Sequence, residues 1–383
     1  MTLEEFPTLA ILPWCRLKDD IKLGQVVFVD WQLGVGASRD LFVENDKLET
    51  VMSSYVDVHG QPIDRATIAM HKDAKTDGSI SAKEIQEIGV AAQLLAFAAI
   101  AQNKYFPLIG QGTNSTCFRV IYQRIAEDNG IAISISHRCT GGILDGGWKH
   151  GDVHFTLPLQ CQYVGEVNPA GEFVKALAYI LNTNSSMATR LLRVIRLFTY
   201  AYTDDSYIPA EQEVIMLMMA FEGLFRNCQG RNDLACKVST LLDEYGMITI
   251  GEANRKINKA KGLSPGMWLH RAWMYECYQL RNDYVHGNPP KSLTWSEYEH
   301  LVFASWLFPY LVKLLLSSVN EYELTKQDVG SLHAIDFILD TNDWNTKPKN
   351  ENLSNWQLAE RKGTREAQSK EIRIQAAKYH LTD

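Results

Sequence analysis

The stretch LRNDYVHG, Leu280 to Gly287, closes an aromatic-rich helical run, and its reading decides how the second half of the chain folds. A helix that only has to stop needs the glycine and little else. Gly287 suits the left-handed position just beyond a helix end, and Pro289-Pro290 prevent the helix from resuming. Termination leaves Arg281, Asn282, Asp283 and His286 unexplained. Upstream, Met274, Cys277, Tyr278 and Arg281 recur at i, i+3, i+4 and i+7, so Arg281 continues a buried or interface stripe instead of lying on the solvent side. His286 stands five residues on, about 140° around a helix of roughly 3.6 residues per turn. The two side chains converge only if the helix loosens near its end or a partner helix brings them together.

A histidine in the last turn faces the negative end of the helix dipole, which favours imidazolium, while the neighbouring Arg281 opposes it. His286 is therefore a candidate proton-transfer group. The guanidinium fork of Arg281 fits a phosphate, or the dianionic phosphorane formed when a ribose 2′-OH attacks its own 3′-phosphate. Asn282 can orient either the histidine or the phosphate. One chain offers one acid–base group, whereas RNA transesterification uses two, so two copies meeting at this face would complete the set. The plainer alternative is a helix C-cap with an incidental histidine, and spacing alone does not separate the two.

Outward from this stretch, long amphipathic patterns predict helices near 172–183, 186–203, 209–228, 231–245, 265–285 and 294–319, with Pro209 at a first helical position and a capping box at Thr294/Glu297. Short linkers between amphipathic helices imply an antiparallel bundle. Residues 1–170 read differently. VVFVDW (26–31), CFRVIYQRI (117–125) and IAISIS (131–136) are rich in β-branched and aromatic residues, residues 153–159 alternate, and Gly-rich turns such as GGILDGGWKHGD (141–152) divide them. SAKE (81–84) opens a helix to about Gln102 with a capping box. After about 325 the chain turns polar. TNDWNTKPKNENLSNW (341–356) reads as loop or disorder, and a final exposed helix follows over about 356–380. The expected organisation is α+β: a mixed α/β domain over 1–170, a helical bundle over 171–325 and a polar extension with a terminal helix over 326–383.

RNDYVHG resembles the signature of HEPN domains (higher eukaryotes and prokaryotes nucleotide-binding), an Arg, usually followed by Asn, then a His four to six positions after the Arg. The run from about 186 to 319 is similar to the ApeA-like HEPN group: ATRLLRVIRLFTYAYTD, a helix ending AFEGLFR (220–226), a shorter helix, the RN…HG helix and a long apolar closing helix. The resemblance implies a HEPN-like bundle acting as a metal-independent endoribonuclease without a cofactor, often a toxin or antiphage effector, dimeric with a composite site. It implies Arg281 and His286 as catalytic, Asn282 as assisting, and Glu222 and Asp283 as supporting residues. It leaves open a non-catalytic module that binds a nucleotide or a partner. The expected partners are RNA, a second copy, and a trigger sensed by the N-terminal domain, in the cytoplasm and away from membranes.

The bulk properties bound these readings. The 383 residues suffice for two domains, and 46% hydrophobic with 22% charged residues is ordinary for a globular protein. The formal charge of −7 excludes bulk attraction as a means of holding polyanions but allows a local basic site. Arg190, Arg193 and Arg196 could guide an RNA backbone or form a solvated, salt-bridged face. MTLEEFPTLAILPW lacks the basic start of a signal peptide, and the apolar run from Val90 to Ala101 is too short to span a bilayer. Seven scattered cysteines without a CxxC pair give no disulfide framework or zinc site. DAKTDGSISAKE (73–84) partly fits a calcium loop through Asp73, Asp77 and Glu84, but Lys75 occupies a ligand position, and a turn with a capping box explains it as well. HGDVH (150–154) enters a strand, where its two histidines would lie about 13 Å apart, too far for one metal.

Overall fold

The computed structural model describes residues 7–106, 112–125, 132–139, 142–149, 154–162, 164–257, 263–290 and 292–380; of 132–139, 142–149 and 375–380 it describes the backbone only. The chain is α+β, with an antiparallel sheet in its N-terminal part and a helical C-terminal part. It divides into two compact units, the first comprising 1–103, 111–188 and 203–205, the second 104–110, 189–202 and 206–383.

In the first unit β1 (Thr8–Leu12), β2 (Ile21–Leu23), β3 (Val26–Gln32), β4 (Gly36–Ala37), α1 (Asn45–Met52), β5 (Tyr55–Val56) and β6 (Arg65–His71) precede α2 (Ala82–Ile100). Then follow β7 (Ile121–Arg124), β8 (Ala132–Cys139), β9 (Gly142–Lys149), β10 (Phe155–Thr156) and α3 (Gly171–Asn182). The sheet runs β2-β3-β6-β1-β7, with β4 on β3. The long β3–β6 pairing sets Val29 opposite Ile68. Every residue of the central β1 is buried, as the apolar TLAIL demands. The Ser81/Glu84 capping box opens α2 where the sequence places it.

Two local expectations change. The Gly-rich stretch expected as turns contains all of β9, paired along its whole length with β8, because glycine does not prevent a strand with a continuous partner. The strand expected over 117–125 is shorter, its start taken by a 3₁₀ turn, Ser115–Phe118, capped by Asn114. The helix expected at 172–183 is α3, and it belongs to the first unit, where Phe173 meets Phe97 of α2 with ring centroids 5.9 Å apart. One boundary between the units thus falls within α4 (Ser186–Ala201), where the sequence reading placed it at 171.

The second unit continues with α5 (Ala210–Leu224), α6 (Gly230–Leu241), α7 (Leu269–Val285), α8 (Glu297–Ser317), α9 (Lys326–Asp340) and α10 (Asn355–His380). Its core is aromatic. Phe198 stacks on Phe308 at 4.7 Å, Phe221 abuts Phe308 and Trp273, and Trp273 meets Phe303 at 4.7 Å. Among the described residues α8 is the helix long and apolar enough to cross a membrane, and most of its apolar stretch is buried in this core. Pro209 is the N-cap of α5, one residue before the expected position. The capping box of α8 is Ser296/Glu299, two residues past Thr294/Glu297. The reason lies in α7: Glu276 accepts the backbone N–H groups of both Thr294 and Trp295, which keeps that segment outside the helix. Arg255 then grips Glu299 through two hydrogen bonds of 2.8 and 2.7 Å.

The segment expected as a polar, partly disordered extension is a packed part of the bundle. Most of α9 is buried and it packs extensively on α10. Trp344 and Trp356, 3% and 0% exposed, insert from the 341–356 stretch, their centroids 5.1 Å apart. Two indoles anchor a segment whose average composition is polar. Asp336, fully buried on α9, accepts the backbone N–H groups of Met247, Ile248 and His270 and pairs with His270 Nδ1 at 2.9 Å.

Replacing Asp336 by Ala strands those donors in the interior, and urea unfolding should show a loss of about 3–5 kcal/mol. Glu360 on α10 is half-buried, and burial pushes its carboxyl up to about 7. A carboxyl raised in the folded state contributes stability below its unfolded pKa, near 4.5, and loses it as pH rises through the folded value. Glu360→Gln should therefore match the wild type near pH 4 and exceed it by about 1–3 kcal/mol at pH 8.

Candidate functional site

Helix α7 carries RNDYVHG, and it is fixed at three levels. Asp336 holds its first turn through His270. Glu276 holds its middle to the start of α8, taking the two backbone N–H groups and lying 3.2 Å from His300 Nε2. Burial works to raise the Glu276 carboxyl, but His300 and the backbone donors outweigh it and keep the group below its ordinary range. At the C-terminus Gly287, at φ +67°, donates to Tyr284 O, and Asn288 donates to Asp283 O, which is a Schellman ending. His286 is the C-cap residue, exposed, with its backbone N–H bonded to Asn282 O.

The arginine has a built environment. Glu222, in the last turn of α5, accepts the Tyr278 hydroxyl at 2.7 Å and lies 3.8 Å from Arg281 Nη2. Arg281 Nη1 donates to Asn282 Oδ1 at 2.9 Å. The guanidinium carbon sits 5.6 Å from the Tyr278 ring centre, and Nε is buried without a hydrogen-bond partner among the described residues. Burial and then Glu222 push the Tyr278 phenol up to about 12, so it stays a donor. Arg281 is thus oriented from two sides while its outer edge stays accessible, its side chain 23% exposed. The separation from Glu222 is too long for a tight hydrogen-bonded pair, and the guanidinium retains donors for a ligand.

Asp283 is placed differently from the other motif residues. It is buried, accepts from Gln279 Nε2 at 2.9 Å, and belongs to a network in which Arg231 donates to Gln279 and lies over the Tyr275 ring. Its contacts hold α6 to α7.

Helices α5 and α7 run antiparallel: Glu222 meets Tyr278 and Arg281, and the charge of Glu211 reaches Tyr284. Their outward faces carry Ile215, Met219 and Glu222 on one helix and Arg281, Asn282 and Val285 on the other, at helical spacing. Met219 is 40% and Val285 48% exposed, so apolar side chains flank the Glu222–Arg281 pair. At the same end of α5 but on another face, Gly223 packs on α4, where an added Cβ would come within 2.4 Å of Val194 Cγ1. That contact sets Arg190, one turn before Val194, near Arg226. Burial, and then the Arg226 charge, lower Arg190 from its ordinary range. Arg190 is half-buried, its Nε without a hydrogen-bond partner among the described residues, whereas Arg193 and Arg196 lie exposed on the solvent side of α4. The expected row of three arginines therefore separates into one cation turned toward the end of α5 and two facing water.

Arg226 escaped the sequence reading. Its signal was its position one turn after Glu222, in the same quoted stretch AFEGLFR.

The other candidates resolve locally. The residues before Asp73 form β6, not the incoming helix of a calcium loop. Asp77 accepts Ser79 N–H in a tight turn, and Glu84 is engaged by Ser81 in the helix cap, with His71 Nδ1 3.6 Å away. Among the described residues no three His, Cys, Asp or Glu side chains are placed to hold a metal ion. His154 is exposed, and His150 lies outside the described residues.

No family model, curated protein or solved structure matches the chain.

Gly287 has open space around the position a Cβ would take, so Gly287→Ala is penalised by backbone conformation alone. The expected loss is about 1 kcal/mol in urea unfolding.

Proposed function

We propose that the chain is a metal-independent endoribonuclease of the HEPN type, with an active centre formed where the α5/α7 faces of two copies meet. The observation that carries this reading is the placement of Arg281. It is oriented by Glu222, Tyr278 and Asn282 on an outward helix face, five residues before the exposed His286 and flanked by exposed Met219 and Val285. A helix end alone requires no such support for an arginine.

The chemistry needs no external nucleophile. His286 of one copy takes the proton of a ribose 2′-OH, whose oxygen attacks the adjacent phosphorus. The two Arg281 guanidiniums stabilise the dianionic phosphorane, and His286 of the second copy protonates the leaving 5′-oxygen. The products are a 2′,3′-cyclic phosphate and a 5′-OH. Arg190 and Arg226 would hold a neighbouring phosphate, supplying attraction that the net charge of −7 does not. Such an activity suits a cytoplasmic toxin or antiphage effector, with the N-terminal unit restraining it until a trigger arrives.

Purified protein with EDTA should cut single-stranded RNA, and His286→Ala or Arg281→Ala should each lower the rate about 100-fold or more. Arg226→Ala should raise KM more than it lowers kcat. Light scattering should give a dimer mass that Val285→Glu reduces. Binding of RNA without cleavage, with or without candidate triggers, would favour the non-catalytic module instead.

A further inference from the structure

Two cysteines in the first unit stand in an arrangement that the nuclease reading does not use. Cys117 lies in the 3₁₀ turn Ser115–Phe118 and Cys161 in a second one, Leu159–Cys161. Their sulfurs are 2.9 Å apart across a sequence separation of 44 residues. Both side chains are buried. Asn114 holds the two turns together: its Nδ2 donates to Gln160 O at 2.7 Å, and its Oδ1 caps Thr116 N at 3.1 Å. The same Oδ1 lies 3.4 Å from Cys117 Sγ and 3.8 Å from Cys161 Sγ. Thr116 Oγ1 adds an anchor to Thr203 O at 3.0 Å. Both thiols are therefore directed at each other by a buried amide, on turns that their neighbours fix.

We infer that Cys117 and Cys161 are a built site for an intramolecular disulfide that closes the segment between them. A bonded pair has its sulfurs about 2.0 Å apart, so the atoms need close by only about 0.9 Å, a shift that side-chain rotation can supply. The reaction requires an oxidant, here a low-molecular-weight disulfide. The thiolate of one cysteine attacks a sulfur of that disulfide, forms a mixed disulfide and releases one small thiolate. The second cysteine, deprotonated, attacks the protein sulfur of the mixed disulfide, forms the Cys117–Cys161 bond and releases the second small thiolate. The two protons lost by the cysteines end on the two small thiols. The protein is oxidised by two electrons and the small disulfide reduced by two.

The surroundings set the rate. The hydrogen bond from Cys117 and then burial push the Cys161 thiol up, so little thiolate is present in the folded state. Cys15, nearby and pushed up to about 12 by burial, is a poor competitor for the same reason. Oxidation should be slow in the folded protein and fast while the chain is folding, and the finished bond should resist reductant until the unit opens. The closed loop holds β7, β8, β9 and β10, so the bond restrains the unfolded chain over that whole stretch.

The test uses the full chain, refolded from the reduced, denatured state in a buffer of reduced and oxidised glutathione. Free thiols are then blocked under denaturing conditions and the protein is digested for mass spectrometry. The expected result is five blocked cysteines out of seven and a crosslinked peptide containing Cys117 and Cys161 that reductant dissolves. The oxidised protein should melt roughly 5–10 °C above the reduced one, a difference that Cys161→Ser removes. Seven blocked cysteines, a bridge to another cysteine, or a bridge that leaves the melting temperature unchanged would overturn the inference. The mass readout on wild-type protein stands even if the substituted chain folds poorly.

Discussion

The geometry of the helical unit depends on one buried carboxylate. Asp336 meets three backbone donors and an imidazole in a place water does not reach. Such a group is tolerated inside a protein only when its lone pairs are filled, so its partners are constrained as strongly as it is. Those partners are the first turn of α7 and the 247–248 segment leading to it. Arg281 lies eleven residues beyond His270, about 16 Å along the same rod at roughly 1.5 Å per residue. Where the arginine sits is thus decided more than two turns away, by a residue on another helix.

The same device recurs along α7. Glu276 fills its oxygens with the N–H groups of Thr294 and Trp295, and Glu222 takes the Tyr278 hydroxyl. Each acid lies beside hydrogen-bond donors and leaves few of them unmet. The polar groups of the interior therefore fix the angular setting of α7, while the aromatic packing of Phe198, Phe221, Trp273 and Phe308 supplies the apolar burial.

Much of this was legible in the residues themselves. The stripe Met274, Cys277, Tyr278, Arg281 read as a buried face, and three of its members are buried with the arginine at the rim. Gly287 read as a left-handed helix end and has that conformation. Local chemistry of this kind is carried by neighbouring residues, so spacing reveals it. What stayed hidden depends on distant partners. Thr294/Glu297 has the form of a capping box, but Glu276 from another helix claims the backbone there. The 341–356 stretch averages as polar, yet two tryptophans bury it. Arg190, Arg193 and Arg196 look equivalent until α5 packs on one side of α4. Cys117 and Cys161 are scattered in sequence, and only the fold sets their sulfurs together.

The close contact of Gly223 with Val194 has a consequence beyond packing. Helices α4 and α5 approach there closely enough that the Val194 side chain lies against Gly223 with no room for a Cβ. Position 223 works as a spacer of fixed thickness. An alanine there would meet the Val194 methyl and press α5 away from α4 beside Arg190 and Arg226, shifting two cations relative to each other without altering either charge.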